Sequence, residues 1–176
     1  MPPLLARPVA GDFDSYHAGY VEQVPPGDLL QLLQGQTAAH RAACVRFAAS
    51  PGHRYAAGKW TAREVLLHVN DTERVFGYRL LRFVRRDPTP LPGFDQDLFM
   101  AGAARDARTL DALADEFGHL RAANVSLLAA CDAETLAWHG RMWEREISVL
   151  ALACLCFGHA AHHLRVLDER YATGTA

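Results

Sequence analysis

The chain has 176 residues, half of them apolar, enough to bury a full core without staples, and residues 1–176 read as a single domain. Eighteen basic against twenty acidic residues leave a net charge of −2, so no basic excess points to nucleic acid. Cys44, Cys131, Cys154 and Cys156 show no CxxC spacing, and three of them lie in apolar stretches, the pattern of free thiols in a reducing cytoplasm. The N-terminus lacks a signal-type apolar run, and the longest apolar stretch, residues 149–157, is too short for a bilayer, so neither secretion nor membrane insertion is expected.

Taken in chain order, the first helical pattern follows Pro25-Pro26-Gly27, with Asp28 as N-cap and Leu29, Leu32, Leu33, His40, Ala43, Cys44 and Phe47 at helical spacings, and stops near Ser50-Pro51-Gly52. The second opens on a capping box, Thr61 with Glu64 three residues on, and carries Val65, His68, Val69, Phe76, Leu80 and Phe83 until Asp87-Pro88. A Pro- and Gly-rich stretch from 87 to 106 reads as a long crossover that spans the bundle or covers a site. The third helix runs from about Thr109 to Ala130, residues 132–145 read as an irregular or partly extended loop, and the fourth helix runs from about Ser148 to Tyr171. The expected fold is therefore all-α, with four long helices packed as a bundle.

Three histidines carry the chemistry. His159 and His163 are four apart, which on a helix puts their imidazoles on one face with β-carbons about 5–6 Å apart, suited to two adjacent ligands of one divalent ion. His68, on another inward-facing helix, is the third ligand, and three protein ligands leave positions open for chemistry. His162, three from His159, competes with His163, but the i, i+4 stripe through Leu152, Cys156, His159, His163 and Val166 favours His163. The ordinary alternative is a set of hydrogen-bonded core histidines, since nine occur in the chain. Two neutral imidazoles in so apolar a segment would then each cost about 1–3 kcal/mol if left without partners.

Trp60-Thr61-Ala-Arg-Glu-Val-Leu-Leu-His68 with Asp71, Glu73 and Arg74, and Gly158-His159-Ala-Ala-His162-His163-Leu164, resemble in order and spacing the motifs of the DinB-like superfamily, including its YfiT-type members. Tyr20-Val21, the segment 25–29 and Pro92-Gly93-Phe94-Asp95-Gln96-Asp97 extend the resemblance along nearly the whole chain. It implies an up-down-down-up four-helix bundle with a long crossover between the second and third helices. It also implies a nickel, zinc or iron ion on His68, His159 and His163, and pairing as a homodimer. Characterised members are S-transferases or isomerases using thiols such as bacillithiol or mycothiol, and others are classed as metal-dependent hydrolases. Members often carry an acidic residue after the first histidine of the final pair, where this chain has Ala160.

A metal on three histidines supports either hydrolysis, through an acidified water, or S-transfer, through a bound thiol. Asp71, three residues beyond His68, is the candidate to accept an imidazole N–H or to act as a base near the metal, the alternative being a solvated helix carboxylate. Arg121 and Asn124 are candidates to contact an anionic substrate group, with a plain surface guanidinium as the other reading of Arg121. Asp95 and Asp97 are read as turn-formers after Pro92-Gly93. Trp60 is expected to staple back onto Val65, and Trp138 and Trp143 either line an entrance or plug the bundle end. Three functions stay open: a small-molecule transferase or hydrolase, a non-catalytic metal-binding bundle associated with stress, and an interaction bundle with a vestigial site.

Overall fold

The computed structural model describes Leu4, residues 6–103 and residues 106–171. In order, it contains α1 (Ser15–Val21), α2 (Leu29–Arg46), α3 (Ala62–Val84), α4 (Gln96–Ala103), α5 (Leu110–Ala129), α6 (Ala133–Ala137), the strands β1 (His139–Met142) and β2 (Arg145–Ser148), and α7 (Val149–Arg170). The four long helices start where side-chain acceptors meet free amide groups. Asp28 accepts from Leu30 N, Thr61 forms the capping box with Glu64, Thr109 accepts from Ala112 N, and Ser148 accepts from Ala151 N.

Side-chain pairs fix the helix directions. Along α3 and α5 the pairs advance together, Asn70 with Leu113 and Glu73 with Arg121, so these two helices are parallel. α2 and α7 also advance together, through Gln36 with Phe157 and Arg46 with Asp168. α2 runs against α5, since Leu33 meets Arg121 while Arg41 meets Asp111, and α3 runs against α7, since His68 meets His159 while Trp60 meets Tyr171. The arrangement is up-down-down-up. Because α3 and α5 are parallel, the chain between them must travel the length of the bundle, which is why the crossover is long.

α7 is the helix the others surround. Every residue from 149 to 160 is buried, as expected of a helix apolar on all sides. By length and composition it also has the character of a membrane span, unlike its 149–157 core alone, yet 67% of its most apolar window is covered by the bundle. Cys44, Cys154 and Cys156 are buried free thiols, and burial pushes the first two up to about 12 and Cys156 well above its ordinary range.

Two connections differ from their expected form. The stretch 87–106 contains α4, whose start is held by Asp95 Oδ1 accepting from Asp97 N and Leu98 N, and whose Met100 and Ala103 pack into the core around Leu110 and Leu113. Residues 132–145 divide into α6 and a hairpin pairing His139 with Ser148 and Met142 with Arg145. Leu91 in the crossover bonds to the hairpin through Leu91 N to Arg141 O and Trp143 N to Leu91 O. Crossover and hairpin thus form one rim at the end of the bundle where α7 begins.

Candidate metal centre

α3 and α7 run antiparallel and bring His68, His159 and His163 together, with one ring nitrogen from each within 4.8 Å of the others. His68 Nε2 lies 3.1 Å from His159 Nε2. Two imidazoles bound to one ion at about 2.1 Å, with an angle of about 90–110° between them, hold their nitrogens about 3.0–3.4 Å apart. The observed spacing is therefore that of adjacent ligands. Burial holds all three imidazoles neutral. His68 falls to about 4, His163 to about 3, and His159 well below its ordinary value, with the neighbouring histidines adding to the shift at His159 and His163. Neutral imidazoles are the form that binds metal, so the site needs no deprotonation near pH 7. The donor set suits a divalent transition metal, and the His68–His159 pair has the spacing of adjacent ligands.

Trp60 packs against the core containing Val65 and also covers His68, ring centres 4.9 Å apart. Gly158 lets α1 approach: a β-carbon there would lie 2.0 Å from the Tyr20 carbonyl oxygen. That contact brings Tyr20 to 5.8 Å from His159, ring centre to ring centre. Ala160 packs with Val69 and Phe117, an apolar setting in which an acidic side chain would be desolvated. His162 is turned to Tyr20, its ring 5.6 Å away, and is outside the three-histidine group.

Beside His68 and His159 opens a cavity of ≈ 680 Å³. α3 supplies Thr72, Phe76 and Arg79 to its wall, α1 supplies Tyr16, His17 and Tyr20, and the crossover and hairpin supply Phe94, Trp143 and Arg145. A cavity of this size, mostly apolar with a few polar groups, suits a small-molecule ligand.

The sequence profile described as the DinB superfamily matches residues 36–167. The chain belongs to the DinB superfamily. No curated protein matches it. Among solved structures it is similar to YfiT from Bacillus subtilis, described as a probable metal-dependent hydrolase with an unusual four-helix bundle topology. That likeness has a TM-score of 0.74 and 18% identity, and covers 82% of this chain and 85% of that one. At this identity the likeness speaks for the fold.

In this DinB bundle the remaining candidates fall in different places. Asp71 is half-buried on the α5 side, where burial raises its pKa and Arg108 and Arg74 oppose the rise. No hydrogen bond joins it to an imidazole, and His68 Nδ1 has no partner among the described residues, so the expected Asp71 to His68 bond is not present. Arg121 is neither at the surface nor in the cavity beside the histidines. Its side chain is 0% exposed, paired at 2.9 Å through both Nε and Nη2 with Glu73, and donates further to Gln36, Leu33 O and Cys156 O. Asn124 donates to the same Glu73 carboxylate at 2.7 Å. This network, with Gln36 donating to Phe157 O, ties α2, α3 and α5 to α7 just before His159.

Sequence reasoning missed His17, Tyr20 and Arg79 in the cavity wall. Arg79 had a readable signal: His68, Thr72, Phe76 and Arg79 follow one another at spacings of four, four and three, along a single face. His17 had none beyond Asp14 as a cap, because α1 is only seven residues long. The two loop tryptophans divide the roles expected of them. Trp138 packs on Phe83 with ring centres 5.7 Å apart, whereas Trp143 is exposed and lines the cavity.

Proposed function

We propose that this DinB protein is a metal-dependent enzyme acting on a small molecule, with His68, His159 and His163 holding a nickel, zinc or iron ion, and that its reaction is S-transfer from a low-molecular-weight thiol such as bacillithiol. The observation that carries this reading is the junction of three converging neutral imidazoles with an open cavity of ≈ 680 Å³. A structural metal is normally enclosed by four protein ligands, whereas a catalytic one keeps a position facing substrate. When bound, such an ion supplies Lewis acidity that activates a water or a thiol near neutral pH.

The protein's own residues do the rest. Trp60 and Phe76 flank the imidazoles with aromatic surface, at 4.9 Å from His68 and 5.8 Å from His159, and Phe76 also forms part of the cavity wall. Tyr20 and Trp143 line the cavity with rings against which an electrophile or the carbon skeleton of a thiol can pack. The second reading is hydrolysis, favoured by the description of YfiT. Homodimer formation belongs to the same proposal and rests on the family resemblance alone.

The test is to load the protein separately with nickel, zinc and iron(II) and follow consumption of bacillithiol or mycothiol with an aryl halide, and hydrolysis of small esters and amides, beside His159→Ala. Thiol conjugation lost in His159→Ala supports S-transfer, and metal-dependent hydrolysis without thiol consumption selects the second reading. A fully loaded protein inactive in both assays would overturn the enzymatic proposal in favour of a non-catalytic bundle.

A further inference from the structure

The cavity that reaches His68 and His159 also contains an arginine that pairs with no carboxylate among the described residues. Arg79 is only 7% exposed and lines the cavity. Its Nη2 donates to the Pro92 carbonyl at 2.9 Å, and its guanidinium lies 6.0 Å from the Phe76 ring centre and 5.8 Å from that of Phe94. Burial lowers its pKa, and no acidic neighbour offsets that shift. The other arginine in the cavity lining, Arg145, is paired within the protein with Asp14. The carboxylate in the cavity lining, Asp95, is taken up in capping α4 through its Oδ1.

A guanidinium presents five N–H donors, and a protein that removes one from water without pairing it leaves a desolvated charge seeking an anion. The contact to Pro92 O and the two flanking phenyl rings fix where the fork lies before any ligand arrives. Thr72 provides a second free group in the same wall, because its buried Oγ1 has no partner among the described residues.

We propose that Arg79 is an anion-binding residue, and that the substrate carries a carboxylate or phosphate that sits against its free N–H groups in the cavity shared with His68 and His159. Planar two-point recognition of such oxygens is the chemistry for which arginine is suited over lysine. That the anion belongs to a substrate rests on the metal-centre reading above. The anion site itself does not.

The test uses metal-free full-length protein, titrated separately with acetate and with inorganic phosphate and followed by intrinsic tryptophan fluorescence, since Trp143 lines the cavity. Wild type, Arg79→Lys, Arg79→Met and Arg145→Met are compared, with folding checked by circular dichroism and metal uptake measured on each. The expected result is saturable binding of one anion, weakened about tenfold or more by Arg79→Met, less by Arg79→Lys and least by Arg145→Met. Preference for acetate assigns a carboxylate, and preference for phosphate a phosphate ester. Equal affinity in wild type and Arg79→Met, or no binding of either anion to wild type, overturns the proposal. Arg79-dependent binding in a protein that takes up no metal would leave the anion site standing and remove the metal centre. Full metal uptake with anion binding indifferent to Arg79 would do the reverse.

Discussion

Burial lowers the His40 imidazole to about 4, with its ring stacked on Phe117 at 4.2 Å between centres. In the unfolded chain the same group protonates near 6.5. Between these values the unfolded state holds the extra proton, so this contribution to stability is intact above about pH 6.5 and is lost as pH falls towards 4. The loss amounts to about 3 kcal/mol. Replacing His40→Phe keeps a ring on Phe117, and proton uptake on unfolding near pH 5 should fall by about one, read from the pH dependence of urea denaturation of metal-free protein. An unchanged slope would contradict the buried neutral state. Glu73 and Arg121 set a second test at this scale. Arg121→Met leaves a buried carboxylate without its cation and should cost about 3–5 kcal/mol, part of which returns when Glu73→Gln is added. Additive losses in the double-variant cycle would show that the pair is not coupled. The nearness of His159 to His163 was legible because a spacing of four needs only helix geometry, and His68 joins them because α3 packs antiparallel to α7, as an inward-facing helix of a bundle can. Arg121 was misread because its burial depends on Glu73, 48 residues earlier, arriving from another helix.

At the scale of elements, α1 meets α7 through a close approach at Gly158. Gly158→Ala would place a methyl 2.0 Å from the Tyr20 carbonyl oxygen, a backbone atom, so α1 must move off α7. A destabilisation of about 1–3 kcal/mol is expected, with faster hydrogen exchange in α1 and little change in metal uptake, since the three histidines are on α3 and α7. Native protection in α1 would show that its other anchors, Val21 in the core and Asp14 paired with Arg145, hold it without the close approach. The long helices were readable from apolar periodicity: α2 and α3 begin at the caps marked in the sequence, Asp28 and Thr61, and α5 and α7 at the starts expected near Thr109 and Ser148. α4 was hidden by the surrounding Pro and Gly, and it folds because Asp95 caps it and Met100 and Ala103 find the core. The hairpin strands are four residues each, too short for alternation to identify them, and their pairing depends on Leu91 from the distant crossover.

At the scale of the whole molecule, parallel α3 and α5 require the crossover, and the crossover, stapled to the hairpin at Leu91, forms a rim of the cavity that reaches the histidines. The topology thus accounts for an open chamber beside the buried His68 and His159. The most direct check is metal content per chain, by plasma mass spectrometry, on untagged protein purified without chelator and after reconstitution with nickel, zinc or iron. The account predicts about one ion per chain in wild type and in His162→Ala, and none in His68→Ala or His159→Ala. No metal in reconstituted wild type, or loss of the ion in His162→Ala with retention in His163→Ala, would contradict it.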